Sequence, residues 1–477
     1  MFKKTLCALL AALLAVSVCA LPALALTDNA HSNGYGWNWA HPVRSYLVPL
    51  DDGTYLCLNA EESLLTLTYL GADGGYIGEQ TEIDYAPDSF AGFFAGEENY
   101  FVAVASSNPD ESDEKTVLTV IKYDKNFNRL GATEFKGENT YVAVDAGSLR
   151  MTETDGKLYV HTCHTMYKTE DGLNHQANMT FVIDEASMQQ IDGFSDIMNI
   201  SWGYASHSFN QFIGTDGEYI YRVDHGDAYP RGISVTKAAA GGRITNVDYC
   251  VPVVFEGQTG ANYTGAEIGG FAVGERNLLI AWMQNNEDGT TSYYLLTVAK
   301  DLSAYELIDI GSTAEGLTSY NPMLVPLENG NYLYMYDMYP PRQSVTDIIC
   351  TIVDEDGNAA GEPLAIYGTS LSDCQPVYCP DGIVRWTVVE DGKVTLYSYD
   401  PLSEAPDYVP GDVNGNGRID ASDYAMCKRA YLRTYVLSDE QFRRADINNN
   451  SRLDASEYAM IKRHFLKTYV IPGAAGK

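Results

Sequence analysis

Positive charge is scarce in this chain. Against 64 Asp and Glu stand only 31 Lys and Arg, a formal charge of −33. That balance keeps a protein soluble and argues against nucleic acid or an anionic membrane surface as partner. Long apolar runs are also nearly missing. The one run, from Leu6 to Leu21, follows Lys3-Lys4 and leads into Ala23-Leu24-Ala25, a small-x-small cleavage pattern. It reads as a secretory leader over residues 1–25, because its apolar core is too short for a membrane span. Val18 before Cys19 is the wrong residue for lipoprotein processing. A mature, extracellular chain from about Leu26, without a membrane segment, is the expectation. Cysteine is sparse beyond the leader: Cys57, Cys163, Cys250, Cys350, Cys374, Cys379 and Cys427. The number is odd and the spacing irregular, so no disulfide framework is implied, and most should be small buried residues. Cys374 with Cys379 is the nearest candidate pair.

Helical periodicity is missing from residues 27–405. Tyr and Thr are abundant there, and short apolar runs of four to seven residues alternate, which reads as all-β. A turn signal recurs at Asp52-Gly53, Glu98-Asn99, Asp155-Gly156, Asp216-Gly217, Arg276-Asn277, Asn329-Gly330 and Asp381-Gly382. Each follows one apolar strand and precedes another, and two further strands come before the next signal. Units of four strands in this rhythm predict a seven-bladed β-propeller over 26–405, which hides its sheet edges by closing on itself. No Trp-Asp blade motif is present. On this count alone six or eight blades, or a pair of β-sandwiches, remain open.

The tail changes character. Asp412, Asn414, Asn416, Asp420 and Asp423 fall at positions 1, 3, 5, 9 and 12 of a twelve-residue loop, and Asp446, Asn448, Asn450, Asp454 and Glu457 repeat the pattern 34 residues later. Calcium takes six to eight hard oxygen ligands on a tightly curved backbone, and these side chains with the carbonyls of Arg418 and Arg452 at position 7 supply them, EF-hand fashion. Gly417 occupies the turn position 6, where the second loop has Ser451. Ile419 and Leu453, both at position 8, form an expected apolar pair. Each loop runs into a helix, Pro410-Gly411 excludes a helix entering the first loop, and Ser438 with Gln441 forms a capping box for a short helix to about Ala445. The overall expectation is therefore mostly β, a seven-bladed propeller followed by a small all-α calcium-binding module over 406–477 that holds two ions.

Residues 409–472 resemble the type I dockerin family of cellulosome-type assemblies. The resemblance implies a cohesin domain of a scaffoldin as partner, and a secreted protein attached to a scaffold complex at the cell surface. The family's recognition positions fall on Ala421, Ser422, Lys428, Arg429 and Arg433 in the first repeat. In the second they fall on Ala455, Ser456, Lys462, Arg463 and Lys467. The residues themselves agree, since the three bases of each helix share one face and stand out in so acidic a chain.

No nucleophile elbow, zinc-protease motif or paired-carboxylate signature occurs in the β region. Its site signal is histidine. His161, His164, His175, His207 and His225, five of the eight histidines in the chain, fall on two neighbouring units. In a propeller the start of each innermost strand and the loop between the second and third strands open on one face. That rule collects Arg150, His207, Asn210, Gln211, Tyr320 and Asn321 with the loops after His161, Asp224 and Asp337. Three chemistries compete: a transition metal on His161, Cys163 and His164; acid–base catalysis by His207 or His225 with Asp224 or Asp227; and a sugar pocket. The metal is disfavoured because alternate strand residues share a face, leaving His164 opposite its partners. The sugar pocket is the favoured reading, with Tyr167, Tyr204, Tyr229, Tyr320 and Tyr339 as ring platforms and Arg150, His164, His175, Gln211, Tyr229 and Arg231 as polar contacts. Catalytic candidates are His207, Asp227 and His225, on a polysaccharide if the protein turns one over. Trp37 and Trp39 are expected to close the ring or pack beneath it.

Overall fold

The computed structural model describes residues 26–35, 39–313, 317–339, 347–367, 369–402, 408–447, 452–466 and 471. The expected leader, together with Trp37, Pro340–Arg342, Asn448, Asn450, Ser451 and Lys467, lies outside them.

Seven antiparallel sheets follow one another along the chain, each a meander apart from the short strands Thr140–Ala143 and Thr318–Ser319, which pair with the strand next but one. Blade 1 spans Ser45 to Asp84, blade 2 Ser89 to Lys136, blade 3 Arg150 to Phe194, blade 4 Ser208 to Val254 and blade 5 Ala266 to Ser312. Blade 6 is built on the long strand Tyr332–Tyr339, which pairs with both Thr318–Ser319 and Met323–Pro326. Blade 7 has three strands, Val377–Tyr378, Val384–Glu390 and Lys393–Tyr399. The first strands of successive blades pack side by side around an axis, so the molecule is a seven-bladed β-propeller with mostly β structure.

All seven turn signals fall between the first and second strands of a blade. In blade 4 the turn is held by Asp216, whose Oδ1 accepts from the backbone of Glu218 and Tyr219 at 3.1 and 2.8 Å, while Gly217 takes φ +90°. An Asx turn followed by glycine is what a short strand reversal asks for. Apolar cores lie between blades. One joins Phe135 and Val120 of blade 2 to Phe181 and Val160 of blade 3, and another joins Val223 and Ile233 of blade 4 to Ile280 and Trp282 of blade 5. Each sheet is covered on both faces, so alternation along a strand does not separate core from solvent here.

The N-terminal segment closes the ring. Asn29 bonds Val389 of blade 7 twice, backbone N to carbonyl at 3.1 Å and Oδ1 from Val389 N at 2.7 Å. Asp28 accepts from Gly392 N at 3.0 Å, and Thr27 N reaches Glu61 of blade 1 at 2.7 Å. Beyond this clasp the segment crosses the axis. His31 stacks on Tyr320, Asn33 Nδ2 donates to Asn321 O at 2.8 Å, and Tyr35 N lies 3.3 Å from Glu267 Oε2. Gly34 is needed here, since a Cβ would stand 2.6 Å from the Tyr320 ring. Ring closure thus falls to residues 27–29 rather than to Trp39, which is 39 % exposed and tilted against Phe209.

After the propeller come three helices, α1 (Ala421–Tyr431), α2 (Asp439–Ala445) and α3 (Ala455–Phe465). They share a core of Val413, Cys427, Ala445, Ile447, Met460 and Ile461, against which Ile419 and Leu453 both pack. The Ser438–Gln441 capping box is present at α2. Every cysteine of the described residues is a free thiol, Cys374 and Cys379 included. Among those residues no helix is long and apolar enough to cross a membrane.

Candidate functional sites

The helical tail carries the first site. In the loop before α1, the Asp412 carboxylate accepts from Asn416 N at 3.0 Å and Gly417 N at 2.7 Å, wrapping the backbone around itself. Asp423 is fully buried. Its two oxygens accept from Asn414 N and Asp420 N at 3.0 and 2.9 Å. Positions 9 and 12 of the loop have a second duty: Asp420 is the N-cap and Asp423 the N3 partner of a capping box on α1. Asp454 and Glu457 repeat that arrangement on α3. Burial pushes Asp423 up, with the neighbouring Asp412 and Asp420 charges adding to the effect. Burial first, then Asp454, pushes Glu457 up to about 7. Arg444 stands 4.0 Å from Asp412, and the buried Asp423 and Glu457 carboxyls are oxygen donors of the kind a hard divalent ion takes. Asp446 is buried beside them and Arg452 is exposed, while Asn448 and Asn450 fall outside the described residues.

The basic residues of α1 and α3 lie largely at the surface. Ala421, Ser422, Lys428, Arg429 and Arg433 are exposed, as are Ala455 and Lys462, with Ser456 and Arg463 half-buried. Lys428 Nζ leans on Tyr424, 3.0 Å from its hydroxyl.

In the propeller the histidines separate into two groups. His161, His164 and His225 are fully buried. His161 Nδ1 meets Thr180 Oγ1 at 2.9 Å and its Nε2 lies 3.4 Å from Asp224. His164 Nδ1 meets Thr140 Oγ1 at 2.6 Å, and His225 Nε2 meets Thr264 Oγ1 at 2.9 Å. Burial alone drives His164 down to about 3, and burial dominates the drop to about 3 at His225. Cys163 gives its thiol to Asp145 O. His161, Cys163 and His164 do not come together as a metal-holding group. Gln211 and Asn210 are likewise buried, tied to Ser148 and Ser208 and to Ile268 O. They are parts of a polar seam between blades 3 and 4 that also holds the Arg222 guanidinium, bonded to Thr236, Thr180 and Ile244 O.

The second group lines an open cleft of about 650 Å³ on the face predicted to carry the site. His207, just before the first strand of blade 4, places Nδ1 3.0 Å from Asp227 Oδ1. His175, from the third strand of blade 3, sits 2.7 Å from Asp171 through Nε2. The two imidazoles lie nearly parallel with centroids 6.0 Å apart. Asp227 is fully buried, accepts from Asn262 N and stands 3.9 Å from Arg231, whose other nitrogens are bound by Glu256 O and Tyr263 O. Trp39, Phe209, Leu173, Asp145 and Gln176 complete the walls. Tyr229, 74 % exposed, stands on the adjoining turn. Of the sequence candidates, His175, His207 and Asp227 meet at this cleft with Arg231 behind them. His164, Gln211 and His225 do not reach it, and Tyr167 is bonded to Asn108 on its far flank. Trp39 and Phe209 were not anticipated as cleft residues. Their aromatic character was the only available signal, and it does not distinguish packing from presentation.

Arg150 and Asn321 belong elsewhere, to an axial cavity of about 680 Å³. It is roofed by Asn33 and Tyr35 and walled by Tyr46, Phe93, Phe212 and Phe271.

Comparison with known proteins places the tail. The fold and the paired loops define a β-propeller bearing a calcium-loop docking module, and residues 410–466 match the dockerin type I domain. Type I dockerins bind calcium and dock onto a cohesin, which indicates an extracellular cellulosome-type complex. No curated protein matches the chain. Among solved structures, an uncharacterised protein of Listeria monocytogenes EGD-e is similar at 13 % identity and a TM-score of 0.38, covering 77 % of this chain and 98 % of its own. A protein of unknown function from Dyadobacter fermentans DSM 18053 gives 9 % identity and 0.40, covering 69 % and 99 %. A variant of the Synechocystis apocarotenoid oxygenase gives 10 % and 0.31, covering 69 % and 62 %. Likenesses this loose carry no argument about activity.

Proposed function

We propose that the protein is a secreted, scaffold-docked component of a polysaccharide-degrading complex whose propeller holds a glycan chain across the His175–His207 cleft. The observation that carries this reading is an open cleft in which the Trp39 ring, with the exposed Tyr229 on the adjoining turn, stands beside polar groups already fixed by hydrogen bonds. Sugars bind through apolar C–H faces on aromatic rings and hydroxyls on preset donors and acceptors, and the cleft offers both. The tail supplies the address: two calcium ions, one in each loop, order α1 and α3 and present Lys428, Arg429, Arg433 and Lys462 to an acidic cohesin surface. Because the repeats are so alike, either can face the cohesin after a half-turn of the module.

A second reading, turnover of the bound glycan, is favoured by the His207–Asp227 pair. A buried carboxylate on Nδ1 fixes the imidazole tautomer and leaves Nε2 as a base at the cleft. The test is a glycan array on the calcium-loaded protein, followed by analysis of products from every bound glycan. Binding that Trp39→Ala removes supports the cleft, and new chain ends that Asp227→Asn suppresses support catalysis. A protein that retains no glycan in any class would refute the proposal, leaving a subunit that docks but does not touch polysaccharide.

A further inference from the structure

The axial cavity is chemically unlike the cleft. Asn33, Tyr35, Arg150, Asn321, Asp373 and Gln375 supply polar groups to it, and Phe93, Phe212 and Phe271 its aromatic wall. Arg150 is the one Lys or Arg among its lining residues. One face of its guanidinium lies on Phe212, 4.0 Å from the ring centroid, and the Tyr35 phenol rests against it. Its Nη1 is nevertheless buried with no hydrogen-bond partner, and no carboxylate among the described residues forms an ion pair with it. In a chain carrying 64 acidic residues, a cation left without a carboxylate is a departure that needs a reason. The nearby acids are otherwise engaged. Asp373 accepts from Arg44 N at 2.6 Å and from the Ser32 hydroxyl at 3.1 Å. Glu267 takes the backbone N–H of Tyr35, and burial pushes it up to about 8, so at neutral pH it stays largely uncharged. Beside it Asn321, 1 % exposed, brings its side-chain amide to the same cavity, next to the Glu267 carboxyl.

We infer that this cavity is a second ligand site, separate from the cleft, which takes a small organic acid with its carboxylate on Arg150 and its ring along the aromatic shaft. Arg150 is half-buried with its Nη1 enclosed; a guanidinium placed so without a counter-ion raises the local potential, and its planar fork matches the two oxygens of a carboxylate. The Asn321 amide is within the same pocket to share the head group. The apolar walls favour an unsubstituted ring over a polyhydroxylated one, which distinguishes an aromatic acid from a uronic acid that presents the same head.

Isothermal titration of the full calcium-loaded chain with cinnamate, glucuronate and cinnamyl alcohol tests this. Cinnamate is expected to bind with one site per chain, and the alcohol at least tenfold more weakly. Arg150→Gln should weaken cinnamate at least tenfold while Arg150→Lys retains part of the affinity. Met323→Trp, which enlarges a lining side chain and leaves Arg150 in place, should abolish binding, with an unchanged circular-dichroism spectrum required of both variants. Trp39→Ala, in the cleft, should leave cinnamate affinity unchanged, so this site and the glycan cleft stand or fall separately. Absence of binding by both acids, equal binding of the alcohol, or an unaltered Kd in Arg150→Gln with Met323→Trp would overturn the site. Preference for glucuronate would overturn the aromatic body.

Discussion

Nδ1 of His207 and Oδ1 of Asp227 meet at 3.0 Å, although one residue precedes the first strand of blade 4 and the other ends the second. The register brings them together, because Ser208 pairs with Gly226 across the two strands. His207 is also held at φ +52°, a left-handed backbone that a side chain adopts at some cost and that points its ring at the cleft.

Replacing Asp227 by Asn keeps the shape and removes the charge that orients the imidazole. On any glycan the protein cleaves, kcat is expected to fall about 100-fold, the lower range for a lost general base, with affinity changed less than about threefold. Initial rates and a binding isotherm on the same substrate check it. A rate that does not move would remove His207 from the chemistry.

Trp39→Ala should weaken glycan binding about tenfold, the equivalent of roughly 1.4 kcal/mol of lost ring contact. Its melting temperature should be unchanged, since the ring is exposed at a cleft edge. Affinity electrophoresis in a polysaccharide gel gives a direct reading.

Three buried groups set opposing pH limbs. His164 and His225, held neutral down to about 3, bind fewer protons folded than unfolded, so their contribution is present above about pH 6.5 and is lost as pH falls towards 3. Glu267, raised to about 8, binds more protons folded, so its contribution is complete below about pH 4.5 and is lost as pH climbs through 8. Two histidines outweigh one carboxyl on the acid side, which puts the contribution of these three groups at its maximum near neutrality, about pH 6.5. Thermal melts between pH 4 and 9 should show a maximum there, and Glu267→Gln should flatten the alkaline limb.

Calorimetry with calcium should find two sites per chain, with heat from coupled folding. Chelation should lower the helical signal and abolish cohesin binding, and Asp412→Ala should remove one ion. Helicity indifferent to chelator would exclude the ion as the element that orders α1 and α3.

Asn29→Ala removes the side-chain bond to Val389 N and leaves a buried amide short of a partner. A loss of about 1–3 kcal/mol is expected, read as a lower melting temperature with cleft and tail functions intact at room temperature.

The blade rhythm was legible because every inner hairpin turn carries Asx, Glu or glycine chemistry, and local turn chemistry does not depend on distant packing. The calcium loops were legible for the same reason. What periodicity could not supply was the sorting of histidines. Both faces of a blade are covered by its neighbours, so His161 and His164, on opposite faces of one strand, are both buried. Of the five clustered histidines, His175 and His207 lie where the face opens. The ring clasp was illegible because Asn29 and Val389 are partners in space alone, and the separation of Arg150 from the histidines depends on how far the inner strand lies from the loops.

The clasp also bears on synthesis. The bond between Asn29 and Val389 spans 360 residues, so a ribosome must deliver nearly the whole propeller before the seam can shut. Until then the nascent chain carries bare sheet edges at both ends, the kind of surface that pairs with strangers. Premature termination anywhere before blade 7 would leave an open, sticky arc, and a nascent chain would have to be shielded until its last strands emerge.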